Sequence, residues 1–184
     1  SCIDHTLLKP DASLSQTKQL CQEAIKYNFH SVCVNPCLIE ETAKHLINTY
    51  VKICSVVGFP LGANISIAKL MEIETCLNVG ASEIDMVMNI GHLKDGRLQT
   101  VANELKEAKK TTGDKILKII IETSLLTKEE IITASKLVET SGADFIKTST
   151  GFSSAGATTE NVFLIRNSVG PGTLIKASGG IKSI

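Results

Sequence analysis

Seven times along this 184-residue chain, a short run rich in Ile, Val and other β-formers gives way to a longer amphipathic stretch. Period-two runs followed by period-3.6 runs predict strand–helix units in series, and such units build parallel sheets. Strands are expected at 2–6, 31–35, 52–59, 83–89, 115–122, 144–148 and 173–177. Ser13 or Ser15 can cap a first helix running to about residue 28. Pro36 sits where the next helix starts, with helical character to about residue 50. Further helices are expected at 65–79, closed by Gly80, and at 98–112, closed by Gly113. Thr127 with Glu130 three residues on is a capping-box signature for a helix to Ser141, closed by Gly142. Thr158 or Thr159 opens the last helix, to about Val169. Residues 91–96 read as a loop.

A weak internal repeat supports this register. Gly80-Ala-Ser-Glu-Ile-Asp and Gly142-Ala-Asp-Phe-Ile-Lys each close a helix and open a strand, 62 residues apart, the length of two strand–helix units. A flavodoxin-like open sheet has fewer strands. A Rossmann fold needs a Gly-x-Gly-x-x-Gly turn after its first strand, where this chain has Leu8-Lys-Pro-Asp11. The expected architecture is therefore α/β: a (β/α)₈ TIM barrel as one domain over 1–184. The sequence shows no eighth strand after the seventh, so a barrel truncated at the C-terminus with two open edges is expected.

Composition narrows the function. The chain is 43% hydrophobic and 4% aromatic, with no net charge. Neither a nucleic-acid face nor a basic membrane patch is visible, and no apolar run reaches membrane length. No signal peptide is visible, although Ser1 need not be the biological start. The six cysteines are scattered through predicted strands and helices, which suits reduced thiols in a cytosolic protein. Cys33 and Cys37 lack a second Cys/His pair at matching spacing, so a zinc site is not expected.

The informative residues are charges inside predicted strands. Strands of a barrel are apolar on both faces, because one meets helices and the other fills the barrel. In the fourth strand, Glu83, Asp85, Val87 and Asn89 share a face against Ile84, Met86, Met88 and Ile90, so Asp85 points into the barrel. The same alternation places Lys118 with Ile120 and Glu122, Lys147 with Phe145 and Ser149, Lys176 with Leu174 and Ser178, and Asp4 with Cys2 and Thr6. Asp4, Asp85, Lys118, Lys147 and Lys176 are thus expected to converge. A mutually neutralising ion-pair network is the plainer reading of any one of them. Two lysines at the C-terminal ends of adjacent strands, where barrel active sites lie, favour chemistry for the set. Two close ammonium groups repel, so one is expected to lose its proton and attack a carbonyl as a neutral amine. Asp85 can then shuttle protons. Carbon–carbon bond making or breaking beside a carbonyl follows, with no metal or cofactor.

Ser178-Gly179-Gly180 follows the seventh strand, the usual neighbourhood of a barrel phosphate site, and Thr148-Ser149-Thr150-Gly151 offers further donors. Either stretch alone reads as an ordinary turn. Cys33 and Asn35 can line the pocket, although a cysteine at position 33 is more often plain core. The four histidines, His5, His30, His45 and His92, show no metal-ligand spacing and read as structural or surface groups.

These stretches resemble a known family, the deoxyribose-phosphate aldolases. The matching segments are Ile3-Asp-His-Thr-Leu-Leu-Lys-Pro10, Val32-Cys-Val-Asn-Pro36, Val57-Gly-Phe-Pro-Leu-Gly62, Glu83-Ile-Asp-Met-Val87, Ile121-Glu-Thr123, Lys147-Thr-Ser-Thr-Gly151 and Lys176-Ala-Ser-Gly-Gly180. They span essentially the whole chain in order. The resemblance implies reversible cleavage of 2-deoxy-D-ribose 5-phosphate to D-glyceraldehyde 3-phosphate and acetaldehyde, in deoxyribonucleoside catabolism. It implies a Schiff base on Lys147, with Lys176 tuning its pKa and Asp85 relaying protons. Gly151, Gly179 and Gly180 would hold the phosphate. Ser178, Thr150, Asp4, Thr6, Cys33 and Lys118 complete the expected substrate-contacting set. Two departures stand out: Phe152 replaces a phosphate-binding lysine present in some members, and the family's eighth strand with its Gly-Thr-Ser-Ser-Gly loop is absent. A weakened phosphate site and a poorly closed barrel are the expected consequences. Another Schiff-base aldolase or transaldolase, or a non-catalytic phosphosugar-binding barrel, are the rival readings. A metal-dependent aldolase lacks ligands. Assembly is open, a homodimer being one option.

Overall fold

The computed structural model describes residues 2–181. Seven parallel strands join one sheet in chain order: β1 (Asp4–Leu7), β2 (Ser31–Val34), β3 (Lys52–Val57), β4 (Glu83–Val87), β5 (Ile116–Ile120), β6 (Phe145–Lys147) and β7 (Leu174–Lys176). The helices are α1 (Leu14–Lys26), α2 (Ile39–His45), α3 (Ser66–Asn78), α4 (Ile90–Lys94), α5 (Leu98–Thr112), α6 (Lys128–Ser141) and α7 (Thr159–Ser168). Among the described residues β1 and β7 are the sheet edges, so the fold is a TIM-barrel-like α/β half-barrel with seven strands.

Local chemistry explains the elements. Ser13 caps α1 and Thr127 caps α6, each within a capping box. In the second, Thr127 N donates to Glu130 Oε2 at 2.8 Å and Glu130 N donates to Thr127 Oγ1 at 3.2 Å. Gly142 ends α6 in the left-handed region, at φ +81°, where a side chain would be strained. Two expectations need correction. Residues 91–96 are not all loop: Asn89 Oδ1 accepts from His92 N at 3.0 Å and caps the short helix α4. The helix expected over 36–50 divides into a 3₁₀ turn at Pro36–Leu38 and the seven-residue α2.

The strands sort their side chains by period two, as expected. Val32, Val34, Ile53, Val57, Ile84, Met86, Leu117, Ile119 and Ile146 pack outward against the helices. Cys33, Cys54 and Val56 point the other way and pack with Leu8 and, partly buried, Phe59. The outer layer is a continuous aliphatic core, each fully buried Ile or Leu contributing roughly 1.5–3 kcal/mol. That layer tolerates an ionic interior. No helix among the described residues is long and apolar enough to cross a membrane.

Candidate active site

The inward charges meet. Register pairs Asp85 with Lys118 across β4 and β5, Ile120 with Lys147 across β5 and β6, and Lys147 with Lys176 across β6 and β7. Lys147 Nζ donates to Asp85 Oδ2 at 2.6 Å, and Lys118 Nζ donates to Asp85 Oδ1 at 3.0 Å. Lys118 also reaches Glu83 Oε2 at 2.5 Å and lies 3.6 Å from Asp4 Oδ2. Lys176 Nζ lies 2.9 Å from Asp4 Oδ2. That contact is ionic without hydrogen-bond alignment, since Asp4 Oδ2 has no hydrogen-bond partner. Lys176 instead donates to the Cys2 carbonyl at 3.2 Å, reaching from β7 toward the start of β1. Three carboxylates and three ammonium groups therefore balance in the interior.

Burial alone would push the Asp85 carboxyl up, but Lys147 and Lys118 outweigh it and hold it below the ordinary carboxylate range. Burial likewise works against the charge on Lys147, yet Asp85 overrides it and holds the amine above the ordinary lysine range. This corrects the expectation that ammonium repulsion leaves a neutral amine at rest. Lys147 has Asp85 in direct contact at 2.6 Å, so opposite-charge attraction prevails there.

A cleft of about 650 Å³ opens between the β1 and β7 ends of the sheet. Lys147 and Lys176 reach its wall, together with Asp4, Thr6, Thr150, Gly151, Phe152, Ser178, Gly179 and Gly180. Lys118, Asp85 and Cys33 lie deeper, behind Lys147, and do not line it. Thr6 is exposed and its hydroxyl donates to the Asp4 carbonyl at 3.0 Å. Gly151, Gly179 and Gly180 all have positive φ, +84°, +81° and +77°.

Some expected donors are already committed. Ser178 Oγ donates to the Ser149 carbonyl at 2.6 Å, and Ser178 N donates to Thr148 Oγ1 at 3.1 Å. These bonds staple the β6 and β7 loops together. Thr150 N donates to Glu122 Oε2 at 3.1 Å, and the Thr150 hydroxyl binds the same oxygen. Glu122 itself sits at φ +49°, uncommon for a residue with a side chain. Phe152 packs edge-on against Phe59, ring centroids 5.2 Å apart, and forms an apolar stretch of the cleft wall.

Sequence reasoning missed several residues. Glu83 was visible on the inward face of β4 beside Asp85 but was not counted in the cluster. Glu122, two residues past β5, carries the same period-two signal. Lys69, fully buried on α3, donates to Glu104 Oε1 at 2.8 Å and to the Val87 carbonyl at 2.9 Å, pinning the end of β4. Its spacing with Ile73 and Cys76 placed a lysine on an apolar helix face, which was the available signal. Gly156 gave none. A Cβ there would meet the Gly179 carbonyl oxygen at 2.1 Å. Gly156→Ala is therefore expected to lower stability by about 1–3 kcal/mol, because backbone must move, as read by thermal melting.

Cys33, Cys54 and Asp85 bring potential ligand atoms within 4.8 Å of one another. Cys54 Sγ donates to Asp85 Oδ1 at 3.1 Å, and burial pushes its thiol well up. Cys54 thus presents a thiol donor to a carboxylate that Lys118 and Lys147 also pair.

On a TIM-barrel-like scaffold, this buried lysine–carboxylate cluster opening at the strand ends has the form of an enzyme site. The comparisons agree. The family model of the DeoC/LacD family aldolases matches residues 1–183. The deoxyribose-phosphate aldolase of Brevibacillus brevis is 50% identical over 180 residues, covering 98% of this chain and 81% of its own length. That of Staphylococcus carnosus is 50% identical over 182 residues, covering 99% and 83%. The tetrameric deoxyribose phosphate aldolase of Aeropyrum pernix superposes with a TM-score of 0.86 at 32% identity, covering 98% of this chain and 76% of that one. The chain belongs to the DeoC/LacD aldolase family, and with it to the carbon–carbon lyases.

Proposed function

We propose that this protein cleaves 2-deoxy-D-ribose 5-phosphate to D-glyceraldehyde 3-phosphate and acetaldehyde, reversibly, through a Schiff base on Lys147. The observation that carries the mechanism is the 2.6 Å contact between a nearly buried lysine and a fully buried carboxylate, with that lysine also reaching the cleft. The relatives named above carry the substrate assignment.

Asp85 takes a proton from Lys147, which leaves a neutral amine and a carboxylic acid in place of an ion pair. The amine adds to C1 of the open-chain sugar, and the carbonyl oxygen takes up a proton. Loss of water gives the iminium. Removal of the C3 hydroxyl proton then breaks the C2–C3 bond, the electrons settling as an enamine on the two-carbon fragment. Protonation of that enamine and hydrolysis release acetaldehyde and regenerate Lys147. Asp85 serves the proton transfers, and Lys176 adds positive charge beside the reacting centre. Backbone N–H groups around Gly151, Gly179 and Gly180 cradle the phosphate. The role fits deoxyribonucleoside catabolism, with a small phosphosugar as the only partner the reaction needs.

Incubation with acetaldehyde followed by borohydride reduction is the test. A single reduced two-carbon adduct on the peptide bearing Lys147 is expected. A folded protein that turns the substrate over without forming the adduct would overturn the mechanism. A protein that binds the phosphosugar without turnover would leave a binding barrel instead.

A further inference from the structure

A line of charged hydrogen bonds runs from Lys147 to the opposite end of the barrel. It passes from Lys147 to Asp85 at 2.6 Å and from Asp85 to Lys118 at 3.0 Å. It continues from Lys118 to Glu83 at 2.5 Å, and from Glu83 Oε1 to His30 Nε2 at 2.6 Å. Glu83 is almost wholly buried at the start of β4, whereas His30, just before β2, keeps 40% of its side chain exposed. The line therefore ends at a part-exposed histidine just before β2.

We propose that Glu83 and His30 are positioning residues for the reaction at Lys147, acting through the charge of Lys118. The proposal rests on the Schiff-base reading. Lys118 offers one positive charge to three carboxylates, Glu83 at 2.5 Å, Asp85 at 3.0 Å and Asp4 at 3.6 Å. What Glu83 takes, Asp85 does not receive. Asp85 must accept the Lys147 proton, so it works better as a base when Glu83 holds Lys118 firmly. A positive charge on His30 competes with Lys118 for Glu83 and turns Lys118 toward Asp85, which weakens that base.

Histidine is the side chain that changes charge between about pH 5 and 8. The charged groups about His30 come from the neighbouring strands. Glu83 of β4 binds its ring, and Lys52, at the head of β3, donates its backbone N–H to the His30 carbonyl at 3.0 Å. Lys118 of β5 lies behind Glu83, with Asp4 of β1 beyond it. Glutamine at position 30 keeps a donor toward Glu83 but carries no titrating charge.

The experiment compares wild type, His30→Gln and Glu83→Gln on the whole chain, measuring kcat and KM across that pH range. In acid, His30→Gln is expected to show a kcat about three- to tenfold above wild type, the scale of one partly screened charge at such distances. The ratio should fall steadily as pH rises, with KM little affected. Glu83→Gln should lower kcat at every pH and lose the histidine-dependent limb. A merely structural pair would change melting temperature in both variants but leave the ratio of kcat values flat across pH. That flat ratio would overturn the proposal. If Glu83→Gln does not fold, His30→Gln decides alone. Borohydride trapping of the wild type separates the two readings: no adduct removes the Schiff base and this proposal with it, whereas a normal adduct with a flat ratio removes only the proposal.

Discussion

Lys147→Ala is expected to abolish turnover, by at least about a thousandfold, and to eliminate the borohydride-trapped adduct. Among the described residues, no other lysine donates to Asp85 while reaching the cleft. Lys176 is tied to Asp4 and the Cys2 carbonyl, and Lys118 is buried behind Asp85 with three carboxylates around it. The variant should still fold. Asp85 would keep Lys118 at 3.0 Å and the Cys54 thiol at 3.1 Å, so it would not be left as an isolated charge. Phosphosugar binding measured by calorimetry should survive within about tenfold, since most groups proposed to cradle the phosphate are backbone N–H donors on the β6 and β7 loops. Loss of affinity in parallel with loss of rate would favour an anion clamp over a nucleophile.

Replacing Asp85 should act on both stability and rate. Asp85→Asn removes the shared partner of Lys147 and Lys118, leaving the buried Lys147 ammonium without its carboxylate while Lys118 keeps Glu83 and Asp4, at a cost of about 3–5 kcal/mol. It also removes the base, with an expected fall in kcat of about 10²–10⁴ near neutrality. Without the carboxylate, Lys147 loses the interaction that holds its proton, so the variant should regain part of its rate as pH rises. A rate profile parallel to wild type would argue that Asp85 only supports the fold.

The same ion pair fixes how wild-type stability depends on pH. The Asp85 carboxyl is held below its ordinary value, burial opposing and Lys147 and Lys118 prevailing. Its contribution is therefore complete above about pH 4, the unfolded carboxylate range, and drains away as pH falls through the lower folded value. Lys147 and Lys118 are held above theirs, burial again opposing. That side of the interaction is complete below about pH 10 and is lost as pH rises further. Melting temperature against pH should show a plateau between these limits, and Asp85→Asn should flatten both shoulders.

The chain itself determined a great deal. Alternating periods of two and near 3.6 specify strands and helices locally, and caps such as Thr127 with Glu130 fix helix starts within a few residues of sequence. The inward direction of Asp85, Lys118 and Lys147 followed from side-chain alternation, which depends only on parity along each strand. Short helices such as α4 escaped because one turn of helix carries too little periodicity to read. What the tertiary structure decided was pairing. Whether Asp85 meets Lys147, Lys118 or both depends on register between strands more than thirty residues apart, and register is set by packing across the whole sheet. That pairing holds the Lys147 amine above the ordinary lysine range, where repulsion from Lys176 on the adjacent strand suggested a neutral amine. It commits the Ser178 hydroxyl to the Ser149 carbonyl, and it brings Gly156 against Gly179. It also carries the cluster out to His30, whose sequence neighbourhood held no sign of the carboxylate it would meet.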